Sequence, residues 1–154
     1  MKRHAIVTGA ASGMGRAIAI KLSKEGYHVV AIDRNEKNLE SLEQEIPSER
    51  LTTYIADISS SGFAKELKQN LAGKNVEILV NNAGIRYPKS ILEESDEEVE
   101  RTLRVNLMAP FFLMREIGAL MAERTKGLIV NIASVAGERG FRDRASYCAS
   151  KGGL

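Results

Sequence analysis

Thr8-Gly9-Ala10-Ala11-Ser12-Gly13-Met14-Gly15 follows the apolar run Ala5-Ile6-Val7, and Ala17, Ile18, Ile20 and Leu22 then recur at helical spacing up to Gly26. An apolar run, a glycine-rich turn and an amphipathic segment in that order predict strand, tight turn and helix. The same pattern repeats outward. Tyr27 to Ile32 is a second apolar run ending at Asp33, residues 36–46 form a charged helix stopped by Pro47, and residues 51–56 alternate as a third strand. Residues 59–71 read as a helix, 76–80 as a fourth strand, and Asn81-Asn82-Ala83-Gly84 as the loop leaving it. Ser95 and Glu98 make a capping-box pattern before a long helix through Asn106 and Pro110 to about Ala122, and residues 127–132 form a fifth strand running into Ser134.

Strands alternating with helices imply parallel strands joined by right-handed crossovers, with ligand-handling loops at the strands' carboxyl ends. The expected fold is α/β, a Rossmann-like doubly wound parallel sheet, incomplete at about five strands in the order 3-2-1-4-5. A chain of 154 residues with 44% hydrophobic content suffices for one domain with one core. Its net charge of +2 argues against nucleic acid as a partner. Cys148 is the only cysteine, so no internal disulfide forms, and it reads as a small packing residue suited to a reducing cytosol. The apolar stretch after Met1-Lys2-Arg3-His4 is broken too soon by Gly9, Ser12, Gly13 and Arg16 for an export signal. No run approaches the ~20 apolar residues that cross a bilayer. The expectation is a cytoplasmic protein without membrane, nucleic-acid or metal sites.

The glycines at 9, 13 and 15 have a wider spacing than G-x-G-x-x-G, and with Ser12 and Met14 they form a turn that lets a phosphate approach backbone N–H groups at a helix start. Alone, such a turn is also ordinary strand-to-helix punctuation. Asp33 closes the second strand about 20 residues on, where a carboxylate accepts from both hydroxyls of an adenosine ribose and repels a 2'-phosphate. That favours NAD, with NADP admitted because Arg34 and Arg16 lie nearby. Asp57, followed by Ile58, closes the third strand either as acceptor for an adenine amino group or as cap for the helix starting at Ser59. The acidic run from Glu93 to Glu100 reads as a solvated helix start.

Taken in order, the glycine turn, Asp33, Asp57, Asn82-Ala83-Gly84, Asn106, Ser134 and Tyr147-Cys148-Ala149-Ser150-Lys151 resemble the motifs of the classical short-chain dehydrogenases/reductases, over essentially the whole chain. The resemblance implies oxidoreduction between a secondary alcohol and a carbonyl, on a small-molecule substrate. Tyr147 would be the general acid/base, and Lys151, one helical turn on, would favour its phenolate and hold the nicotinamide ribose. Ser134 would hydrogen-bond the reacting oxygen, and Asn106 would hold a water linking Lys151 to solvent, a role compatible with a local helix irregularity near Pro110. Asn82, Ala83 and Gly84, with Ile58, would border the cofactor. Glu138 to Arg144 carries three arginines where such enzymes border substrate, but Glu138 and Asp143 cancel two of them, and the segment reads as a charged surface loop.

Relatives of this kind continue past the Y-x-x-x-K motif, so residues 1–154 are expected to be the dinucleotide-binding part without the substrate-covering part. Three consequences are expected: an exposed edge on the fifth strand, fraying around Lys151 before Gly152 and Gly153, and weak or absent turnover. The alternative is a dinucleotide-binding or interaction fragment without catalysis. The long helix, with Phe111-Phe112-Leu113-Met114, and the fifth-strand edge are the expected self-association surfaces.

Overall fold

The computed structural model describes residues 2–154. Each apolar run becomes a parallel strand: β1 (Arg3–Thr8), β2 (His28–Asp33), β3 (Leu51–Ile55), β4 (Asn75–Asn81) and β5 (Leu128–Asn131). Their spatial order is β3-β2-β1-β4-β5, with Val7 opposite both Ala31 and Val80 at the centre. Alternation along each strand divides the core. Ile6, Val30, Ile32 and Leu79 face α3 (Phe63–Asn70) and α5 (Ala109–Ala122), while Val7, Val29, Ala31 and Val80 face α1 (Gly13–Lys24) and α2 (Glu36–Glu43). Leu113 and Ile117 on α5 are fully buried, a burial that stabilises by about 2 kcal/mol per side chain.

Three boundaries depart from the sequence expectation. α2 ends at Glu43, ahead of Ile46, because the residue before a proline avoids helical backbone; Ile46 is buried all the same. α3 starts at Phe63 instead of Ser59, because Asp57 draws the Ser59 amide into a turn and Gly62 adopts φ +82° just before the helix. The long helix is α4 (Asp96–Leu103) and α5 joined by a π-turn at Arg104–Met108. Pro110 has no N–H to give to that turn, and the widened coil absorbs the lost hydrogen bond around Asn106. The Ser95–Glu98 capping box forms as read.

The uninterrupted stretch Asp96–Ala122 runs for 27 residues and is long and apolar enough to cross a membrane by length and composition, contrary to the expectation of no such run. Its apolar face is spent on the sheet, through Val105, Leu113, Ile117 and Leu120. β5 is an edge strand, with Leu128 and Ile129 largely exposed, and Phe111 and Phe112 point outward from α5.

At the amino ends of β1 and β2 the rings of His4 and His28 stand 5.0 Å apart. Burial, then the neighbouring His28 charge and Lys74, push the His4 pKa below its ordinary value; burial does the same for His28. The unfolded chain therefore binds more protons below about pH 6.5, and stability falls as pH drops through that region. Replacing His4 by Asn and His28 by Gln is expected to flatten the melting temperature between pH 7 and 5. Equal acid sensitivity in the double variant counts against this.

Candidate active site

The carboxyl ends of the strands gather the sequence-predicted residues around two adjoining clefts. The first, about 270 Å³, is lined by Gly9, Ser12, Asp33, Arg34, Asp57, Ile58, Asn82, Ala83, Gly84 and Arg101, among others. Its floor is built by Thr8, whose hydroxyl accepts from the amides of Asn82 (3.0 Å) and Ala83 (3.1 Å), while Asn82 Nδ2 donates to the carbonyls of Thr8 (3.0 Å) and Gly9 (3.2 Å). The loop leaving β4 is thereby tied to the glycine turn. Asp33 holds the same turn from the other side, one oxygen accepting from the Ala11 amide and the other from the Asn35 amide, each at 3.0 Å. A carboxylate offers about four lone-pair sites, so acceptor capacity remains.

The glycines divide by role. A Cβ on Gly9 would stand 2.9 Å from the Ala83 Cα, and one on Gly15 would overlap the Gly9 carbonyl, so both are demanded by the protein's own backbone. Of the three turn glycines, Gly13 alone combines a left-handed φ, +54°, with open space where its Cβ would stand. It opens α1, whose Ser12 cap makes no side-chain hydrogen bond and whose first turn carries no acid. Free N–H groups at an uncapped helix start, beside an open glycine, suit an anionic phosphate.

Asp57 is not a helix cap. Its Oδ1 accepts from Ser59 N (2.9 Å) and Oγ (2.6 Å), and its Oδ2 pairs with Arg101 from α4. Partial burial works to raise its pKa, but the hydrogen bonds from Ser59 and Arg101 and the Arg101 charge outweigh that and bring it down to about 2 from 3.8. The depressed folded value gives a contribution to stability that is complete above about pH 4 and lost as pH falls through 2. Arg101→Met is expected to move the Asp57 titration up toward 3.8, read by carboxyl NMR. An unmoved titration would discount the ion pair. Arg16 is likewise committed: it donates to Glu45, Ser41 and the carbonyls of Asn38 and Ala11, and so clasps α2 to the glycine turn and leaves Arg34 as the exposed cation nearest Asp33.

The second cleft, about 290 Å³, is lined by Met14, Asn82, Gly84, Ile85, Arg86, Ile132, Ala133, Tyr147 and Lys151. Tyr147 and Lys151 stand on α6 (Ala145–Gly153), which includes both glycines. Lys151 is 7% exposed, its ammonium donates to the Ile132 carbonyl at 2.7 Å, and burial pushes its pKa down. Asn106, fully buried in the π-turn, accepts from Ile85 N (2.8 Å) and donates to Ile85 O (2.8 Å) and Ser150 Oγ (3.0 Å). Its side chain thus joins the β4 loop to α6. Ser134 is placed apart from this cleft's lining, its Oγ accepting from the Ala136 amide at 3.1 Å in a short 3-10 turn. Among the described residues no group of three or more His, Cys, Asp or Glu side chains forms a metal site.

A family model described as short chain dehydrogenase matches residues 3–154. The chain belongs to the short-chain dehydrogenase family. It is similar to D-erythrulose reductase of Gallus gallus, 40% identical over 154 residues that cover 99% of this chain and 61% of that protein. Among solved structures, a metagenomic short-chain oxidoreductase in complex with NADP superposes with a TM-score of 0.93 at 35% identity, covering 99% of this chain and 71% of the other. A 4-hydroxyisoleucine dehydrogenase mutant complexed with NADH and succinate gives 0.90 at 36%, covering 99% and 63%. The chain spans about three fifths of the length of the curated relative, D-erythrulose reductase.

Arg101 lines the first cleft and Thr8 ties together the loops beneath it, and neither was among the sequence-predicted site residues. Thr8 had a signal, as the hydroxyl residue opening the glycine turn. Arg101 had none, because its partner Asp57 lies 44 positions away on a different element.

Proposed function

We propose that the chain binds a nicotinamide dinucleotide and interconverts a secondary alcohol and a carbonyl by hydride transfer. The observation carrying this is that Tyr147 and Lys151 line one cleft together with Met14, Asn82 and Gly84, continuous with the glycine turn and Asp33. The two solved relatives bound to NADP or NADH support the cofactor class. Gly13, Ser12 and the start of α1 would receive the pyrophosphate, Asp33 the adenosine ribose, and Asp57 with Ile58 the adenine side. Bound there, the dinucleotide would supply hydride to the carbonyl carbon in reduction or take it from the alcohol carbon in oxidation. Tyr147 donates the phenol proton to the carbonyl oxygen in reduction and recovers it in oxidation. Lys151, released from the Ile132 carbonyl, holds the ribose and supports the phenolate, Ser134 holds the reacting oxygen, and Asn106 keeps the β4 loop and α6 in register.

NAD is the preferred form in this reading. The Asp33 carboxylate repels a 2'-phosphate, and Arg16 is spent on α2, which leaves only Arg34 to offset it. Calorimetric titration of NADH and then NADPH into the chain is expected to show saturable NADH binding, tighter than NADPH and weakened by Asp33→Ala. Absence of binding overturns the proposal; tighter NADPH binding overturns the preference. A second reading, dinucleotide binding without turnover, draws on the Lys151 ammonium being held at Ile132. NADH binding with no oxidation or reduction across a panel of secondary alcohols and ketones would favour it. The cytoplasm, where Cys148 stays a thiol, is the compartment we assign, and the outward Phe111 and Phe112 with the β5 edge are the surfaces proposed for self-association.

A further inference from the structure

Glu94 belongs to an acidic run that reads as a solvated helix start, yet its carboxylate does not face water alone. Oε1 accepts from Ser146 Oγ at 2.5 Å and Oε2 from the Ser146 amide at 3.3 Å, a contact between positions 52 apart. Ser146 is the second residue of α6 and immediately precedes Tyr147; it is buried, and the residue capping α6, Arg144, makes no side-chain cap. One free N–H at the start of α6, that of Ser146, is thus met by a carboxylate from another element, where a negative charge also complements the positive end of the helix.

The donor of that carboxylate is itself fixed. Glu94 N donates to Ser90 O at 3.1 Å, and the next residue is Ser95, the cap of α4, closed reciprocally with Glu98. Glu98 is held in turn by Lys89 at 2.6 Å. At the other end of α6, Asn106 fastens Ser150, and Gly137 lies so close to the Lys151 backbone that a Cβ there would come within 2.8 Å of the Lys151 carbonyl carbon. Tyr147 and Lys151 therefore sit between two anchors, Glu94 before Tyr147 and Asn106 with Gly137 near Lys151. A helix fastened at both ends cannot rotate or slide without breaking one of them.

We propose that Glu94 is a positioning residue that acts through Ser146 to set the register of α6, and so the placement of Tyr147 and Lys151 at the nicotinamide end of the site. The inference rests on the proposed function for the meaning of that placement, but not for the anchoring itself. Amide exchange of the full chain, read by mass spectrometry on peptides covering residues 141–151 with peptides from α2 and β1 as controls, measures the anchoring. Glu94→Ala is expected to speed α6 exchange about tenfold, the size expected for losing a helix cap, with the controls unchanged. Ser146→Ala should do the same, and the double variant should add little to either single one, because both remove one interaction. Glu94→Gln, which keeps an acceptor for Ser146, should recover part of the protection.

Nucleotide titration gives the functional half. Glu94→Ala should weaken NADH, which reaches Lys151, and leave AMP, which reaches only the Asp33 and Asp57 end, unchanged. Unaltered α6 exchange in Glu94→Ala overturns the inference whatever the nucleotides do. Faster exchange in the controls, or an equal loss for AMP and NADH, overturns it as well by showing general loosening. If the wild-type chain binds neither nucleotide, the proposed function fails, and the exchange comparison alone then decides whether Glu94 anchors α6.

Discussion

Gly15→Ala is expected to lower the stability of the chain by about 3 kcal/mol even with no nucleotide present. The added methyl would overlap the Gly9 carbonyl oxygen and Asn82 Nδ2 and would lie 2.8 Å from the Gly9 carbonyl carbon. None of these is the loose end of a flexible side chain. The Gly9 carbonyl belongs to a turn held by Asp33 through the Ala11 amide, and Asn82 Nδ2 is already shared between the Thr8 and Gly9 carbonyls. Room for the methyl can come only from moving α1 off the sheet or from breaking the Asn82 bonds. At roughly 3 °C per kcal/mol for a chain of this size, the melting temperature should drop by about 9 °C. Gly13→Ala provides the contrast: its Cβ meets nothing, so the cost is limited to left-handed strain of about 1–2 kcal/mol, while the methyl intrudes where a phosphate would lie. A Gly15→Ala chain that melts with the wild type would refute the close-packing account of this turn.

That contrast shows how far the sequence could be read. The order of strands and helices was legible because apolar runs and their punctuation are local, and a parallel sheet wound on both faces follows from strictly alternating elements. The α3 start at Phe63 was not legible, since it depends on Asp57 drawing in the Ser59 amide, and Asp57 is itself held by Arg101. At the site, residue types at motif spacing identified which side chains gather, but not what each already holds. Arg16 looked like a cation available to a phosphate and is engaged with Asn38 and Ser41 on α2 and with Glu45 just beyond it. Asn106 reads as a water holder, and nothing in the sequence signals that its side-chain amide also ties Ile85 to Ser150. Two of the three glycines looked like room for a ligand and are room for the protein's own backbone. For Arg16, Asn106 and Gly9 the deciding partners, Glu45, Ile85 with Ser150, and Ala83, lie 21 or more positions away, so no short window of sequence contains them.

In the proposed reaction Tyr147 is the acid/base, and Tyr147→Phe is expected to reduce turnover by at least about 100-fold, the range associated with loss of a positioned acid/base. The variant is informative because so little else depends on the hydroxyl. Tyr147 is half-buried beside the second cleft, and its oxygen has no hydrogen-bond partner among the described residues. Removing it leaves no orphaned donor or acceptor, so stability should stay within about 0.5 kcal/mol of the wild type. The anchors of α6 involve Ser146 and Ser150 and not the phenol, so Lys151 should keep its place. NADH affinity is accordingly expected to change by less than about threefold, under 0.7 kcal/mol. The comparison uses whichever secondary alcohol or ketone the wild-type chain turns over, with binding and melting measured on the same preparations. Loss of turnover together with loss of NADH binding would make Tyr147 a binding residue, and retained turnover would remove it from the proton transfer. The pH profile adds an independent check. Burial lowers the Lys151 pKa, so the ammonium proposed to support the phenolate is lost at a lower pH than an exposed lysine would lose it, and the alkaline limb of the wild-type profile should fall correspondingly early.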